Sequence, residues 1–302
     1  MPGMDVSFII VNYNTASWVK QCVQSIRAHT VSLRYEIIIV DNASPDRAID
    51  AVINNLQDST LIYVPLNHNS GFGAANNRGV TKATGKYLFL LNPDTRLCSN
   101  AAGYFFSYME QPDNDRVVAC GADLRDDAGK PTQAYGNFPS ILHAISALGL
   151  RIFYPTYFKK HMSMGAANEG DAIKEVDYIS GAAMFIRKVI IDVEGFFDEA
   201  FFLFFEETEW AYRMRKAGYS VRLLPAVQII HSESASDPDK TVFNRFRYYH
   251  YEKSRQLFYH KTKGDFFAAY MKPLDILQMC LRTITQKEKG NILEKINIIW
   301  QA

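Results

Sequence analysis

The sequence lacks the features of a membrane-spanning, secreted or nucleic-acid-binding protein. No run of roughly 18 or more consecutive apolar residues occurs, so we expect no transmembrane helix. The N-terminus has no basic segment followed by an apolar core, so we expect no secretory signal. The formal net charge is +1 and no dense basic patch is interleaved with aromatic residues, which argues against nucleic-acid binding. These absences predict a cytoplasmic chain, with or without peripheral contact to the cytoplasmic face of a membrane.

Cysteine is also scarce. The four cysteines form no C-x-x-C pair and are Cys22, Cys98, Cys120 and Cys280. This scatter predicts reduced, part-buried thiols of a cytosolic protein rather than a disulfide framework. With 48% hydrophobic and 22% charged residues, the composition is that of an ordered globular protein. The 302 residues suit one large α/β domain, or such a domain with an appendage.

Glycine is missing from the first predicted strand-to-helix turn, "NYNTAS". A dinucleotide-binding fold needs G-x-G-x-x-G at this turn, and a nucleotidyltransferase would want a glycine- and basic-rich phosphate loop there. The glycine-containing segment "GFGAANNRG" follows the third strand instead. Its third glycine, Gly79, is too far along the sequence to complete the G-x-G-x-x-G motif. Both classes are therefore disfavoured, although Gly71 and Gly73 can still let the backbone approach a ligand closely.

Apolar strands and amphipathic helices alternate over the first 120 residues. The predicted strands are "DVSFIIV", "YEIIIV", "TLIYV" and "KYLFLL", and helices are predicted over "ASWVKQCVQSIRAH", over "AIDAVINNL" and from Ala74. This alternation is typical of a mostly parallel sheet covered on both faces. The polar loops "NYNT", "DNASPD", "NHNSGFGAANNRG" and "NPDT" then share one edge of the sheet, where such folds bind ligands. Ordinary turn chemistry of Asn and Asp is the alternative for each loop.

The pattern changes along the rest of the chain. Periodicity loosens over 123–175, which we interpret as a variable insertion beside the ligand edge, and returns at "VDYISGAAMFIRKVIIDVEGF". A helix is predicted over "EETEWAYRMRKAG", ended by Gly218, followed by two short strands, "SVRLL" and "VQII". A polar break, "SESASDPDK", precedes a helical tail interrupted at Pro273 and Gly290. We therefore predict one α/β domain over 1–236 and a helical extension over 237–302.

The segment "FDEAFFLFFEETEW" runs a block of aromatic residues into three carboxylates. Burying an ionised carboxylate is costly, and apolar surroundings raise its pKa, whereas a helix N-terminus lowers it. Either the acids only complement the dipole of the first helical turn, or a carboxylate is held at the wall of a reaction site. Glu209 and Arg213 are four residues apart and are expected to form a structural pair, which leaves Glu206 and Glu207 as candidates for chemistry.

An ordered series of motifs carries a family resemblance. The series "IIVNYN", "IIIVDNASPD", "NSGFGAANNRG", "LFLLNPDT", "ISGAAMFIRK" and "GFFDEAFFLFFEETEWAYRMRKAGY" resembles the inverting family 2 glycosyltransferases, most closely the bacterial rhamnosyltransferases. The resemblance implies a GT-A fold, with a mostly parallel central sheet flanked by helices and a Rossmann-like nucleotide-binding half. It implies a catalytic domain over 1–236, with 123–175 on the acceptor side, and a helical C-terminal extension over 237–302.

The activity that the resemblance implies is inverting transfer of rhamnose from dTDP-rhamnose to a bacterial surface polysaccharide or a lipid-linked acceptor. Two alternatives stay open: a glycosyltransferase that uses a UDP-hexose, and a partner that binds a nucleotide-sugar without catalysis. The residues expected to contact the nucleotide-sugar are Asn12, Tyr13, Asp41, Gly73, Asn76, Asn77 and Asn92. For Asp41 the alternative is an Asx turn, and Asn76 and Asn77 could equally cap or decorate a helix.

The resemblance also implies a metal site and a base. The loop "NPDT" lies where the family usually carries a D-x-D motif, so Asn92 replaces the first acid and Asp94 is the only anionic ligand in the loop. His231 would complete a Mg²⁺ or Mn²⁺ site, although a lone histidine is more often a packed or surface residue. The acid pair matches the usual Glu-Asp, with Glu207 as the base and Glu206 as its companion.

The tail segment "DFFAAYMKPLDILQMCLRTI" allows two interpretations. It could be an amphipathic surface resting on a membrane near a lipid-linked acceptor, or a helix packed on the catalytic domain or on a second subunit. Packing is favoured, because no face of the segment concentrates basic residues. A homo-oligomer is therefore an open possibility.

Overall fold

The apolar runs near the N-terminus form the centre of a large mixed sheet. The structure is a computed structural model and describes residues 3–56, 59–233, 243–284 and 291–302. Its strands are β1 Val6–Asn12, β2 Tyr35–Asp41, β3 Leu61–Pro65, β4 Tyr87–Leu91, β5 Thr95–Leu97, β6 Val117–Arg125, β7 Gln133–Gly136, β8 Ala166–Ala167, β9 Lys174–Val176, β10 Tyr178–Ile179, β11 Ala183–Arg187 and β12 Ser220–His231. Its α-helices are α1 Ala16–His29, α2 Ala48–Leu56, α3 Phe72–Val80, α4 Ala101–Met109, α5 Ile141–Ala147, α6 Pro155–His161, α7 Lys188–Glu194, α8 Glu206–Lys216, α9 Arg245–Lys263, α10 Asp265–Ile284 and α11 Ile292–Gln301. Short 3₁₀ turns cover Pro112–Asn114 and Leu150–Phe153.

The main sheet has the strand order β3-β2-β1-β4-β11-β6-β12-β5, and β9 pairs with β12. Strands β1 to β4 run parallel, because each is joined to the next through a helical crossover. β11 is antiparallel to both β4 and β6, while β12 runs parallel to β6 and antiparallel to β5. The α/β class is confirmed, with a parallel N-terminal half and a mixed remainder.

The core lies where the sheet is covered on both faces. β1 and β4 are buried along their whole length, as their unbroken apolar sequences predicted. An aromatic stack fills the space between the sheet and α4, in which Phe185 lies parallel to Tyr87 and to Phe105 with ring centroids 5.0 and 5.4 Å apart. Phe89 meets both Phe105 and Phe185 edge-on. Such offset and edge-to-face pairs add to the burial of apolar surface.

Two predicted boundaries are wrong. The segments "SVRLL" and "VQII" are not separate strands but parts of β12, whose register against β6 shifts between Leu224 and Gln228. Pro225 lies in this shift, and because proline has no N–H to donate to the ladder, an irregularity is the place where it fits. α3 begins at Phe72, before the predicted Ala74, because Gly71 provides the turn into the helix.

The insertion and the C-terminal helices lie together beside the main sheet. Within 123–175 the chain forms a small second sheet with β10, in the order β10-β7-β8, and the helices α5 and α6. α5 packs against α10, and a second apolar cluster joins Ala144 to Phe201 and Phe205 and to side chains of α9 and α10.

The helical tail is confirmed as α9, α10 and α11, but the predicted interruption at Pro273 is wrong, because α10 continues through this residue. The predicted domain boundary at 236/237 and Gly290 fall on positions that the structure does not describe, as does most of the predicted polar break. Among the described helices, none is long and apolar enough to cross a bilayer.

Candidate active site

A cleft of about 1020 Å³ opens at the carboxyl edge of the sheet. This volume is at the upper end of the roughly 300–1,000 Å³ usual for small-molecule sites. The loops after β1, β2 and β4 form one side of the cleft, and the segment before α8 and the start of α9 form the other. Of the predicted site residues, the cleft is lined by Tyr13, Asn92, Asp94, Glu206, Glu207 and His231.

The first two loops are tied together by a buried hydrogen-bond network. The Asn12 amide donates to Asp41 Oδ1 at 2.7 Å and to Ser44 Oγ at 2.9 Å, and its oxygen accepts from Thr15. The Ser44 hydroxyl also donates to Asp41 Oδ1 at 2.6 Å. Asn12 and Asp41 are not among the residues that line the cleft, and the hydrogen bond from the Ser44 N–H to Asp41 Oδ2 favours the Asx-turn alternative, while a donor contact by either residue stays a prediction. Tyr13, which is 44% exposed, does line it.

Asn42 holds the glycine-containing loop in place, a role that sequence reasoning missed. Its amide donates to Asn69 Oδ1 at 2.9 Å, and its oxygen accepts from the backbone N–H of Ser70 at 2.9 Å. The loop then docks on the aromatic segment, since the N–H of Phe72 donates to the carbonyl of Phe202 at 2.8 Å. Gly71, with φ of +87°, makes this close approach possible.

The predicted residues of α3 do not face the cleft. The Asn76 amide donates to the carbonyl of Phe72, and the Asn77 amide donates to the carbonyl of Phe197 and to Glu199. Gly73 lies against the Glu206 side chain, because a Cβ on Gly73 would be 3.4 Å from Glu206 Cβ. These contacts favour the structural alternative for Asn76 and Asn77, and a donor contact by any of the three stays a prediction.

Strand pairing brings the predicted metal ligands together. β12 pairs with β5 so that His231 is opposite Thr95, which directly follows Asp94. As a result His231 Nε2 lies 3.3 Å from Asp94 Oδ1, and the Asn92 amide is 3.5 Å from the same ring nitrogen. Asp94 is only 3% exposed. No sequence pattern links Asp94 to His231, since they are distant in the chain.

This pair fits a divalent cation with an incomplete protein ligand set. Two ligand atoms 3.3 Å apart can occupy adjacent positions around an ion with bonds of about 2.1 Å. The second ring nitrogen, His231 Nδ1, is buried without a hydrogen bond. Among the described residues no group of three or more His, Cys, Asp or Glu side chains could hold a metal. Further ligands would therefore have to come from Asn92, from backbone carbonyls, from the substrate or from water.

A strained turn presents the acid pair to the cleft. Phe204 and Phe205 both have φ of +68°, a left-handed conformation that is unfavourable for bulky side chains, and α8 begins directly afterwards. Packing holds the turn, because the Phe205 ring lies against Tyr251 and Phe258 at 5.4 and 5.7 Å between centroids. The aromatic run therefore positions the first turn of α8 rather than merely covering it.

For both Glu206 and Glu207, burial raises the pKa more than the helix N-terminus lowers it. Glu206 is 4% exposed and its Oε2 lacks a hydrogen bond. Burial, together with the neighbouring charge of Glu207, raises its pKa well above the ordinary value. Glu207 is more accessible, and burial also raises its pKa, against the hydrogen bonds that it accepts. One of these comes from the Thr208 hydroxyl at 3.1 Å.

The third acid, Glu209, forms a salt bridge within α8. Glu209 accepts a hydrogen bond from Arg213 Nε at 2.7 Å, which confirms the predicted pair. The Arg213 guanidinium also donates to backbone carbonyls of Glu194 and Phe196. Arg213 thereby fastens the segment that leads into the aromatic run, and Glu209 keeps Arg213 in position.

The C-terminal helices contribute a cation that sequence reasoning missed. Arg247, in the first turn of α9, lines the cleft together with Asn244 and Phe246. Its guanidinium lies 5.3 Å from the centre of the Phe204 ring, a cation–π distance. Lys130 is the other lysine or arginine among the described cleft residues. The segment "RFRYYHYEKSR" gave no signal for this role, because only packing shows which of its arginines faces the cleft.

Comparison with protein families finds one that covers most of the sheet domain. The family model described as glycosyl transferase family 2 matches residues 7–193, which is more than half of the chain. The match includes the loops that line one side of the cleft and ends before the acid pair.

Curated relatives and solved structures are similar over a larger part of the chain. A low-salt glycan biosynthesis hexosyltransferase of Haloferax volcanii is 23% identical over 76% of this chain and 67% of its own length. An N-acetylglucosaminyl-diphospho-decaprenol L-rhamnosyltransferase of Mycobacterium tuberculosis is 21% identical over 66% of this chain and 67% of its own. The mannosyltransferase PcManGT of Pyrobaculum calidifontis, solved with GDP-mannose and Mn²⁺, has a TM-score of 0.57 at 12% identity, covering 97% of this chain and 79% of its own.

Proposed function

The chain belongs to glycosyl transferase family 2 and is a glycosyltransferase, and we propose that it moves a sugar from a nucleotide-sugar to a glycan hydroxyl with inversion. One observation carries the proposal: a single cleft has the Asp94–His231 pair, the buried Glu206 and the more accessible Glu207 among its walls. Inverting transfer needs a group that neutralises the leaving diphosphate and a base for the acceptor hydroxyl. We assign the first role to a cation held by the Asp94–His231 pair and the second to one of the glutamates.

The proposed step is a single displacement. The acceptor oxygen attacks the anomeric carbon, the bond from that carbon to the phosphate oxygen breaks, and the nucleoside diphosphate leaves with the bonding electrons. Glu207 accepts the acceptor proton, since it is the more accessible of the two acids and its raised pKa makes it a stronger base. Glu206, held against Gly73 without a hydrogen bond on Oε2, stays protonated beside it.

The leaving diphosphate needs positive charge. Mg²⁺ or Mn²⁺ held by Asp94 and His231 would supply it as a Lewis acid, and the bound Mn²⁺ of the mannosyltransferase from Pyrobaculum calidifontis supports this part of the proposal. Arg247 is the cation of the protein itself that faces the cleft from α9, and a planar guanidinium suits phosphate oxygens. Tyr13 provides an accessible ring beside the loops after β1 and β2, where the nucleotide base would stack.

For the donor we propose dTDP-rhamnose, and for the acceptor a bacterial surface polysaccharide or its lipid-linked precursor. The similarity to a rhamnosyltransferase with a diphospho-decaprenol acceptor supports this choice. A UDP-hexose is the second candidate, supported by the similarity to a hexosyltransferase. A cytoplasmic location follows from the proposed donor, since nucleotide-sugars are made there.

A thermal-shift screen of dTDP-rhamnose and UDP-hexoses with Mg²⁺ or Mn²⁺ tests the donor, because a ligand that binds only the folded state raises Tm. The proposed donor should raise Tm only when metal is present, and EDTA should abolish release of the nucleotide. Stabilisation by UDP-hexoses alone would replace rhamnose with the second candidate. Donor binding without turnover on any acceptor would contradict the proposed reaction.

A substitution tests the base. Glu207→Gln should lower kcat by about 10²–10⁴-fold while the donor-induced shift in Tm is kept, because the amide cannot accept the proton. Glu194→Gln, the same change at an exposed position on α7, serves as the control and should leave kcat unchanged. Full activity of Glu207→Gln would refute the assignment, and an inactive Glu206→Gln with an active Glu207→Gln would transfer the role to Glu206.

A further inference from the structure

Helix α9 buries polar side chains on the face where most helices bury apolar ones. Its buried residues are two aromatic and four polar or charged ones: Phe258, Tyr259, Glu252, Ser254, Arg255 and Gln256. Burying a polar group costs free energy unless the group has a hydrogen-bond partner. The partners of these four side chains therefore show what the buried face of α9 does.

Three of the four side chains bind one another and helix α10. The Arg255 guanidinium lies 2.9 Å from the carboxylate of Asp275 on α10, and it also donates to Glu252. The Gln256 amide donates to the same carboxylate of Asp275 at 3.5 Å. Because a charge would be left buried and unpaired if the two helices slid past each other, this group fixes how α9 packs on α10.

The fourth side chain, Ser254, has its partner outside the C-terminal helices. Ser254 is 3% exposed, and its hydroxyl donates to the backbone carbonyl of Leu203 at 2.8 Å. Leu203 directly precedes the two residues of the strained turn that have φ of +68°. The carbonyl before it, that of Phe202, accepts from the N–H of Phe72, the first residue of α3. Two adjacent carbonyls that lead into the turn are therefore held by two different helices, α3 and α9.

The hydrogen bond of Ser254 fixes a part of the turn that ring packing does not. Tyr251 and Phe258 contact the Phe205 side chain, but apolar packing is non-directional, whereas a hydrogen bond sets the position of the carbonyl that accepts it. A strained backbone persists only where its surroundings hold it. Leu203 lies four residues before Glu207, so a shift of this carbonyl is passed to the first turn of α8.

We propose that Ser254 is a positioning residue, which holds the strained turn so that Glu207 stays in place at the wall of the cleft. Helix α9, which follows the residues 7–193 matched by the family model, is thus part of the catalytic machinery rather than an appendage. The effect on catalysis rests on the proposed function of Glu207, whereas the hold of Ser254 on the turn does not.

Steady-state kinetics of the full chain test the effect on catalysis, with release of dTDP from dTDP-rhamnose, or of UDP from a UDP-hexose, as the assay. Ser254→Ala should lower kcat by about 10–100-fold, because a misplacement of about 1 Å has an effect of this size. The KM for the donor should stay at the wild-type value, since the Asp94–His231 pair and the loops after β1 and β2 are untouched. Ser254→Cys, which is close in size and keeps a weak S–H donor, should lose less kcat.

A second hydroxyl on α9 provides the control. Thr262 donates to the carbonyl of Phe258 in its own helix at 2.6 Å. Thr262→Val removes this hydrogen bond without changing the shape of the side chain or touching the turn. It should keep the wild-type kcat and KM, even where urea unfolding shows that it is less stable. A loss of kcat in Thr262→Val equal to that in Ser254→Ala would overturn the proposal, because any weakening of α9 would then have the same effect.

Amide hydrogen exchange of the chain without substrate reports the turn independently of any turnover. Residues 202–210 should exchange faster in Ser254→Ala than in the wild type, and Thr262→Val should exchange like the wild type there. If Ser254→Ala does not fold by circular dichroism, Ser254→Cys takes its place in both comparisons. Wild-type exchange in the Ser254 variant, or faster exchange with an unchanged kcat, would overturn the proposal. A wild type that turns over neither donor would contradict the proposed function, and exchange would still decide whether Ser254 holds the turn.

Discussion

Gly71 is the position where a single methyl group would separate the two sides of the cleft. Its φ is +87°, and a Cβ there would lie 2.2 Å from the carbonyl oxygen of Phe202 and 2.9 Å from the adjacent Phe202 carbons. All of these atoms are backbone, so no side-chain rotation can relieve the overlap. The loop and the aromatic segment must move apart, and this movement breaks the hydrogen bond from the Phe72 N–H to the Phe202 carbonyl.

The cost of Gly71→Ala can be worked from this geometry. Gly71 also has ψ of 172°, a backbone conformation that is essentially confined to glycine and costs another residue about 1–3 kcal/mol, and the broken hydrogen bond adds about 0.5–1.5 kcal/mol. The expected loss of stability is therefore roughly 1.5–4.5 kcal/mol. Gly218→Ala is a matched control, because Gly218 has φ of +86° and nothing within 4 Å of the added Cβ. The Gly218→Ala variant should lose only the stability that a positive φ costs alanine, about 1–2 kcal/mol.

Urea unfolding and steady-state kinetics separate the two variants. Gly71→Ala should have the lower free energy of unfolding and also a raised KM for the donor, since Gly71 and Phe202 both line the cleft. Gly218→Ala should keep the wild-type KM, because it lies at the end of α8 away from the cleft. If the two variants lost the same stability and kept the same kinetics, the packing of the loop on the aromatic segment would have no energetic importance.

Substitutions of Glu206, Thr208 and Arg247 have predictable effects on stability, on the pH profile and on KM. Glu206 keeps its proton when folded but loses it above 4.5 when unfolded, so wild-type stability should fall as pH rises from about 4.5 to the raised folded pKa. Glu206→Gln should make that fall in Tm, measured from pH 4 to 8, shallower, because the raised pKa of Glu207 accounts for the remainder, and an unchanged slope would contradict the buried acid. Thr208→Val removes a hydrogen bond that lowers the pKa of Glu207, so the acidic limb of the kcat profile should move to higher pH, while Thr208→Ser should restore it. Arg247→Ala should raise the KM of the phosphate-bearing substrate it contacts by about 10–100-fold, from the 1.5–3 kcal/mol of a charged hydrogen bond. Arg247→Lys should recover part of the loss, and unchanged KM values for donor and acceptor would remove Arg247 from the site.

The sequence alone determined the framework of this protein. Unbroken apolar strands alternating with helices predicted a parallel sheet with its polar loops on one edge, because side-chain periodicity is a local property. Local patterns also placed Asp94 after a buried strand, the acid pair at the start of a helix, and Glu209 four residues from Arg213. These features depend only on neighbours within a turn or a strand, and they can therefore be read from the order of residues.

The tertiary structure decided which side chains meet. Asn12 and Asp41 were predicted to contact the donor, yet they bond to each other across two loops, whereas Asn42 beside them anchors a third loop. Strand register alone brings His231 to Asp94, and packing of α9 brings Arg247 to the cleft. The same holds for α10, whose sequence allowed either a membrane surface or a packed helix, and which packs against α5, α9 and α11. Each of these outcomes depends on partners far apart in the chain, and only the packed fold selects among them.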